Sequence, residues 1–399
     1  MRYDIPCLKN DWKYAFLIDD KHEHIVIDGI EMTAKNVWEY EGSREELVEK
    51  LVDYFYITGP KFDDSVPLKK LENELNKLCK ADEHSVMVKD GSISNSSRIG
   101  LDICRVFCQK SFYATRVNGT ASIYDVYNNK DLLRRILKNR LGWYTTTEKL
   151  VLDDGTVLEG EHPYLFDISH KMVIQGAHSS MVSANVSNFR PLVAKYLMSE
   201  FCPKHGKVLD MSAGWGARMM AAASLGLSYY GIDPMTAKEL VVMAGAISKC
   251  SFPGNGNVEL KVVENVSENE HAFKSIPYSI DYAIVCPPYF KLEEYSCEKN
   301  STDVYPDYND WLEKYWRKTV ANMNSRLSSN GKFTLIMVDK WGKYELLKDM
   351  SHIVEEEGFK IASELHYKTT RSHLTDKRTS KNTNKSTEKV LTFERTASN

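Results

Sequence analysis

The sequence predicts an α/β protein. A mostly parallel sheet with helices on both faces ends in an antiparallel hairpin, and a mixed α/β region precedes it. Three observations carry this. From about residue 185 onward, short apolar runs alternate with runs of helical period, the pattern of strand–helix–strand units. One strand–helix junction, Asp210 to Gly216, is a turn of small residues and glycine, which lets the backbone approach a ligand closely. The last two strand-like runs have no helix between them, so they pair antiparallel.

The chain has 399 residues, 42% hydrophobic and 27% charged, which suits a soluble protein of more than one domain. Its net charge of -3 gives no global signal for a polyanionic partner, so any nucleic-acid contact must come from a local patch. The opening "MRYDIPCLKNDWKYAF" lacks an apolar signal core, and no long apolar run follows. A cytoplasmic protein with no membrane span is expected. The eight cysteines include no CxxC pair, which predicts a reduced, mostly buried set and no structural metal.

Residues 1–90 read as the mixed α/β region. "HEHIVIDGIEMT" offers a short strand and a turn. "SREELVEKLVDYFYI" reads as a helix capped by Ser43, with Glu46 completing a capping box. "PLKKLENELNKLCKA" places Leu68, Leu71, Leu75 and Leu78 at helical spacing. Residues 91–175 differ. "DGSISNSSRIG" reads as a loop or helix entry, and Arg98, Arg105, Arg134 and Arg135 then mix with Phe112, Tyr113, Trp143 and Tyr144. Basic residues among aromatics suit phosphate contact with base stacking. A solvated helix face over core aromatics is the alternative.

Residues 185–399 carry the regular alternation. The helix "NFRPLVAKYLMSEF" has Pro191 near its first turn. Strands follow at "KVLDM", "SYYGIDP", "VELKVVEN", "DYAIV" and "KFTLIMVD", with helices between them. One of these helices, beginning "YNDWLEKYW", is expected to close at Gly331. The closing strands "KIASELHYK" and "KVLTFER" flank the long polar, basic stretch "TTRSHLTDKRTSKNTNKST". A connection of that length is functional or disordered.

The turn reads Asp210-Met-Ser-Ala-Gly214-Trp-Gly216, a poor match to the GxGxxG dinucleotide pattern. Asp233 ends the next strand, where a carboxylate can accept paired hydrogen bonds from ribose hydroxyls. A second stretch, "DYAIVCPPYF", ends in Cys286-Pro287-Pro288-Tyr289-Phe290. Two prolines fix φ and remove two N–H donors, leaving rigid carbonyls beside flat aromatic surface. Such a wall suits a planar amine. A stiff strand-end turn over core aromatics is the structural alternative.

Together these stretches resemble the class I S-adenosylmethionine-dependent methyltransferases, in particular the amino-methyltransferases of adenine or cytosine in DNA. "VLDMSAGWGAR" resembles their cofactor-binding motif, "CPPYF" their catalytic [D/N/S]-P-P-[Y/F] motif, and "NFRPLVAKYL" the helix that closes over the methionine part of the cofactor. The resemblance covers roughly 185 to 395 and implies a Rossmann-like class I methyltransferase sheet. By position it implies that Asp210, Ser212, Gly214 and Gly216 cradle S-adenosyl-L-methionine. Asp233 would bind its ribose, and Glu264 or Asn265 would sit near its adenine. The Cys286 position and the Pro287 carbonyl would accept the target amine's protons, with Pro288 stiffening the turn and Tyr289 stacking on a flipped base.

Cys286 departs from the family pattern, since a thiol is a weaker acceptor than Asp, Asn or Ser. It leaves open a covalent nucleophile or a silent cofactor fold in a nucleic-acid-binding protein. RNA or a protein amide are the alternative substrates. A base within a duplex must be flipped out to react. DNA is the expected partner, with RNA less favoured. Its contacts would be Phe290, Arg134 and Arg135, and Arg371, Lys377 and Arg378 in the basic connection.

Overall fold

A computed structural model describes residues 25–61, 68–94, 97–142, short stretches between 145 and 163, 168–184, 186–256, 258–295, 300–368 and 388–396. The chain forms two compact units drawn from interleaved segments. One comprises 1–65 with 113–186, the other 66–112 with 187–399. The segments 1–90, 91–175 and 185–399 thus contribute across this division. Among the described residues no helix is long and apolar enough to cross a membrane.

In the first unit, Asp28 and Gly29 take positive φ and close a hairpin between Val26–Ile27 and Ile30–Glu31, as an Asp-Gly turn allows. The helix Arg44–Thr58 begins at Ser43, whose side chain accepts from the Glu46 amide. Glu46 forms an ion pair with Lys50. Helices Lys130–Gly142 and His170–Ser179 complete the described core. There the Tyr127 ring stacks on His170 at 5.4 Å, and Phe55 meets His170 edge-on at 5.0 Å.

The second unit opens with α1 (Leu68–Lys80), β1 (Ile93–Ser94), α2 (Leu101–Phe107) and the first four residues of α3 (Gln109–Ala114). In α1, Leu71, Leu75 and Leu78 are buried, whereas Leu68 at the first turn is exposed. The sheet unit continues with α4 (Pro191–Phe201), β2 (Lys207–Asp210), α5 (Ala217–Ser224), β3 (Ser228–Ile232), α6 (Ala237–Ile247), β4 (Leu260–Val263) and β5 (Ile280–Val285). It ends with α7 (Lys318–Asn324), β6 (Leu327–Val338), α8 (Leu346–Glu356), β7 (Phe359–Lys368) and β8 (Glu388–Arg395).

The sheet order is β4-β3-β2-β5-β6-β8-β7-β1. Neighbours from β4 to β6 are parallel. β8 is antiparallel to both β6 and β7. This is the expected α/β fold, a mixed sheet with a parallel core and antiparallel C-terminal strands. The closing hairpin forms, with its second strand inserted between β6 and β7.

Two details differ from the expectation. Ile93 and Ser94, read as loop, pair parallel with Tyr367 and Lys368 and add an edge strand. Gly331 does not close a helix. The helix stops at Asn324, and Gly331 lies within β6, where a Cβ would come 2.6 Å from Leu327 and 2.9 Å from the Ile280 carbonyl. Close backbone approach in a strand selects glycine as well as a helix end does.

Candidate active site

Strand order alone locates a crevice. From β2 the chain runs outward through β3 and β4, then returns to the other side of β2 as β5. In such a sheet, ligands bind outside the carboxyl ends of the strands at this reversal. Leu209 and Asp210 of β2 lie opposite Ala283 and Ile284 of β5. The glycine turn and the Cys-Pro-Pro turn therefore leave the sheet side by side.

Ser212 joins them. Its hydroxyl donates to the Cys286 carbonyl at 2.9 Å and accepts from the Cys286 amide at 3.3 Å. The first of the two proline-preceding carbonyls is thus engaged. Pro287 has no N–H, and its own carbonyl accepts no hydrogen bond among the described residues. Burial pushes the Cys286 thiol up to about 12, with the Glu388 carboxylate adding to the effect. The sulfur is therefore a protonated thiol at neutral pH.

Asp210 is fully buried. Its carboxylate accepts from Arg218 at 2.6 Å and from the Tyr229 hydroxyl at 2.7 Å. Burial opposes the Arg218 charge, and Asp210 more than offsets it, so the guanidinium is held protonated. Arg218 also donates to the Ser212 carbonyl. This ion pair sets the turn's shape from beneath. Gly214 and Gly216 take φ of +57° and +81°, where a side chain is strained.

Asp233 receives the Gly214, Met235 and Thr236 amides, each at 2.9 Å. Burial raises its pKa against those three N–H groups. Thr236 adds its side chain to these three N–H groups, so the carboxylate is firmly held beside the turn. Glu264 lies 3.7 Å from Lys238, and Asn265 accepts from the Val266 amide, both just beyond β4.

Beyond Cys286, Tyr289 is buried, and its hydroxyl donates to Glu388. Tyr282, Thr334 and Thr392 form a hydrogen-bonded chain across β5, β6 and β8. By the two-residue strand period, Glu388 shares the face of Thr392, and Cys286 continues that of Tyr282. Burial, opposed by the Tyr289 bond and reinforced by Glu293, brings Glu388 up to about 7. Glu293 is likewise raised by burial, and Tyr295 donates to it. Phe290 is fully buried against Trp311 and Tyr344. It anchors the turn instead of offering surface to a substrate.

Arg134 belongs to the other unit, with its fork on Glu49 and Asp131. Arg135 donates to the Ser180 carbonyl at 3.4 Å. Arg371, Lys377 and Arg378 lie outside the described residues. Among the described residues no cluster of His, Cys, Asp or Glu is arranged for a metal.

Sequence reasoning missed Arg218, Trp215, Glu388 and a group of orphaned polar atoms. Arg218 had a signal, the single charge in an otherwise Ala/Met helix. Among these orphans are Arg105 Nε, Gln109 Nε2 and Oε1, Asn188 Nδ2 and Trp215 Nε1, all closed to solvent without a hydrogen-bond partner among the described residues. A buried polar atom left so costs about 1–3 kcal/mol, which makes these atoms candidates for a ligand.

No protein-family model matches the chain, and no curated protein matches it either. Solved structures share its outline at a distance. TrmN from Thermus thermophilus is 14% identical with a TM-score of 0.35; the match covers 53% of this chain and 51% of that one. This chain therefore spans about half the length of TrmN. A TehB-like SAM-dependent methyltransferase from Corynebacterium glutamicum is 13% identical at 0.32, covering 56% and 97%. An rRNA methylase from Streptococcus thermophilus is 14% identical at 0.31, covering 53% and 99%. The fold itself is read from the strand order.

Proposed function

We propose that the protein is an S-adenosylmethionine-dependent amino-methyltransferase acting on the exocyclic nitrogen of adenine or cytosine in DNA. The observation that carries this reading is the Ser212 bridge. It locks a glycine turn of cofactor-binding type onto a Cys-Pro-Pro-Tyr turn at the sheet reversal. The residues present fit the cofactor. Two positive-φ glycines open the turn, the Asp233 carboxylate lies beside it, and Trp215 within it carries an orphaned donor.

S-Adenosylmethionine supplies an electrophilic methyl group on a sulfonium. The chain's part is to hold an amine in line with it, since alignment is the larger share of such catalysis. The Pro287 carbonyl accepts one amine proton in hydrogen bonding and orients the nitrogen. Glu388, poised near neutral pH, is the acceptor for the proton the nitrogen must lose. Cys286 holds the turn through its backbone, and its protonated thiol neither attacks nor accepts the proton.

The test is transfer of labelled methyl from the cofactor to genomic DNA, total RNA or protein extract. Label in DNA is expected. Label confined to RNA or protein would replace the proposed substrate. Binding of the cofactor product with no transfer to any of the three would favour a nucleic-acid-binding protein with a retained fold.

A further inference from the structure

We propose that Arg105, Gln109, Asn188 and Trp215 form the pocket for the α-amino-acid end of S-adenosylmethionine. The inference rests on the function proposed above and deepens it. It reassigns Arg105, which by sequence belongs to a basic, aromatic window suited to phosphates.

Three contacts fix α2 and α3 over the glycine turn and its helix. Cys104 Sγ lies 3.4 Å from Met220 Sδ of α5. The Ser111 hydroxyl donates to Glu239 of α6 at 2.5 Å. The Phe112 ring meets the Trp215 ring edge-on at 5.2 Å. The Arg105 guanidinium stands 5.1 Å from the centre of that Phe112 ring. Gln109 opens α3, just past the Cys108 cap that ends the Arg105 helix. Asn188 lies on the segment leading into α4. Its neighbour Phe189 lies 5.4 Å from the guanidinium of Arg218, the residue that ties the turn.

The unpaired atoms have the chemistry of a zwitterion's complement. Arg105 Nε, Gln109 Nε2, Asn188 Nδ2 and Trp215 Nε1 are donors, and Gln109 Oε1 is an acceptor. Gln109 is 2% exposed, with both amide atoms unpartnered. A carboxylate takes several donors and an ammonium needs an acceptor. A phosphate would use the donors and leave Gln109 Oε1 unpaired. The α-amino acid satisfies both kinds of group. This also gives a reason for residues 66–112 to belong to the sheet unit: they carry part of its ligand site.

The experiment is calorimetric binding of two ligands to the full chain. S-Adenosylhomocysteine carries the amino-acid end, and 5′-methylthioadenosine lacks it. The variants are Arg105→Met, Arg105→Lys and Gln109→Met. Arg105→Met should weaken S-adenosylhomocysteine by about 10–100-fold, as loss of a charge-assisted hydrogen bond does. It should leave methylthioadenosine within about twofold, with Arg105→Lys recovering part of the loss. Gln109→Met should act in the same direction, so that the test survives if one variant fails to fold. Equal losses for both ligands, or none for either, would overturn the pocket while keeping the cofactor reading. So would weaker DNA binding with S-adenosylhomocysteine affinity unchanged. Wild-type protein that binds neither ligand would remove both.

Discussion

The Ser212 hydroxyl satisfies both backbone groups of Cys286, reaching its carbonyl at 2.9 Å and its amide at 3.3 Å. One side chain thereby sets the spacing of two turns that come from different strands. Ser212→Ala leaves both groups unpaired and should cost about 1 kcal/mol of stability. Methyl transfer should fall about 10–100-fold, because small misplacements of reacting groups are expensive. Urea unfolding and single-turnover rates measure the two effects separately. An unchanged rate would show that the bridge does not align the site.

Cys286 should be dispensable as a thiol. Its pKa is pushed up to about 12, so the reactive thiolate is scarce at neutral pH. Cys286→Ser and Cys286→Ala should keep the transfer rate within about tenfold, whereas loss of a covalent nucleophile costs more than about a thousandfold. A loss of that larger size in both variants would restore the nucleophile.

Glu388 should set the pH profile. Its native pKa is raised to about 7 by burial, and the base acts when ionised. Transfer should rise with pH and level above about 7, and Glu388→Gln should lose that step along with most of the rate. Stability runs the opposite way. A carboxyl whose pKa rises on folding favours the native state below its unfolded pKa and loses that contribution as pH climbs through its native one. Glu388→Gln should flatten this part of the stability curve. A rate profile with the same step in the variant would assign the base elsewhere.

Arg218 and Asp210 form a fully buried pair at 2.6 Å. Arg218→Met strands the carboxylate and should cost about 3–5 kcal/mol, read as a lower urea midpoint. A change within experimental error would mean that water or another cation reaches Asp210.

The alternation from Val208 to Val338 was legible because strands and helices differ in period and each junction carries turn residues. The two turns were legible for the same reason, since glycine and proline act locally. Other features depend on distant partners. Ile93 and Ser94 form a strand only because Tyr367 and Lys368 offer an edge. Gly331 signals close approach, and sequence does not say to what. Glu388 follows a long polar connection and has no motif of its own, yet its strand starts between the ends of β6 and β7. Arg105 looks like part of a basic, aromatic window until α2 and α3 pack over the glycine turn.

The position of the transferred methyl tests the central claim most directly. Labelled product would be digested to nucleosides and resolved by mass. The arrangement of Pro287, Glu388 and a protonated Cys286 predicts a methyl on the exocyclic nitrogen of adenine or cytosine. A methyl on carbon, as in 5-methylcytosine, would contradict it, because that chemistry needs the thiolate that burial suppresses.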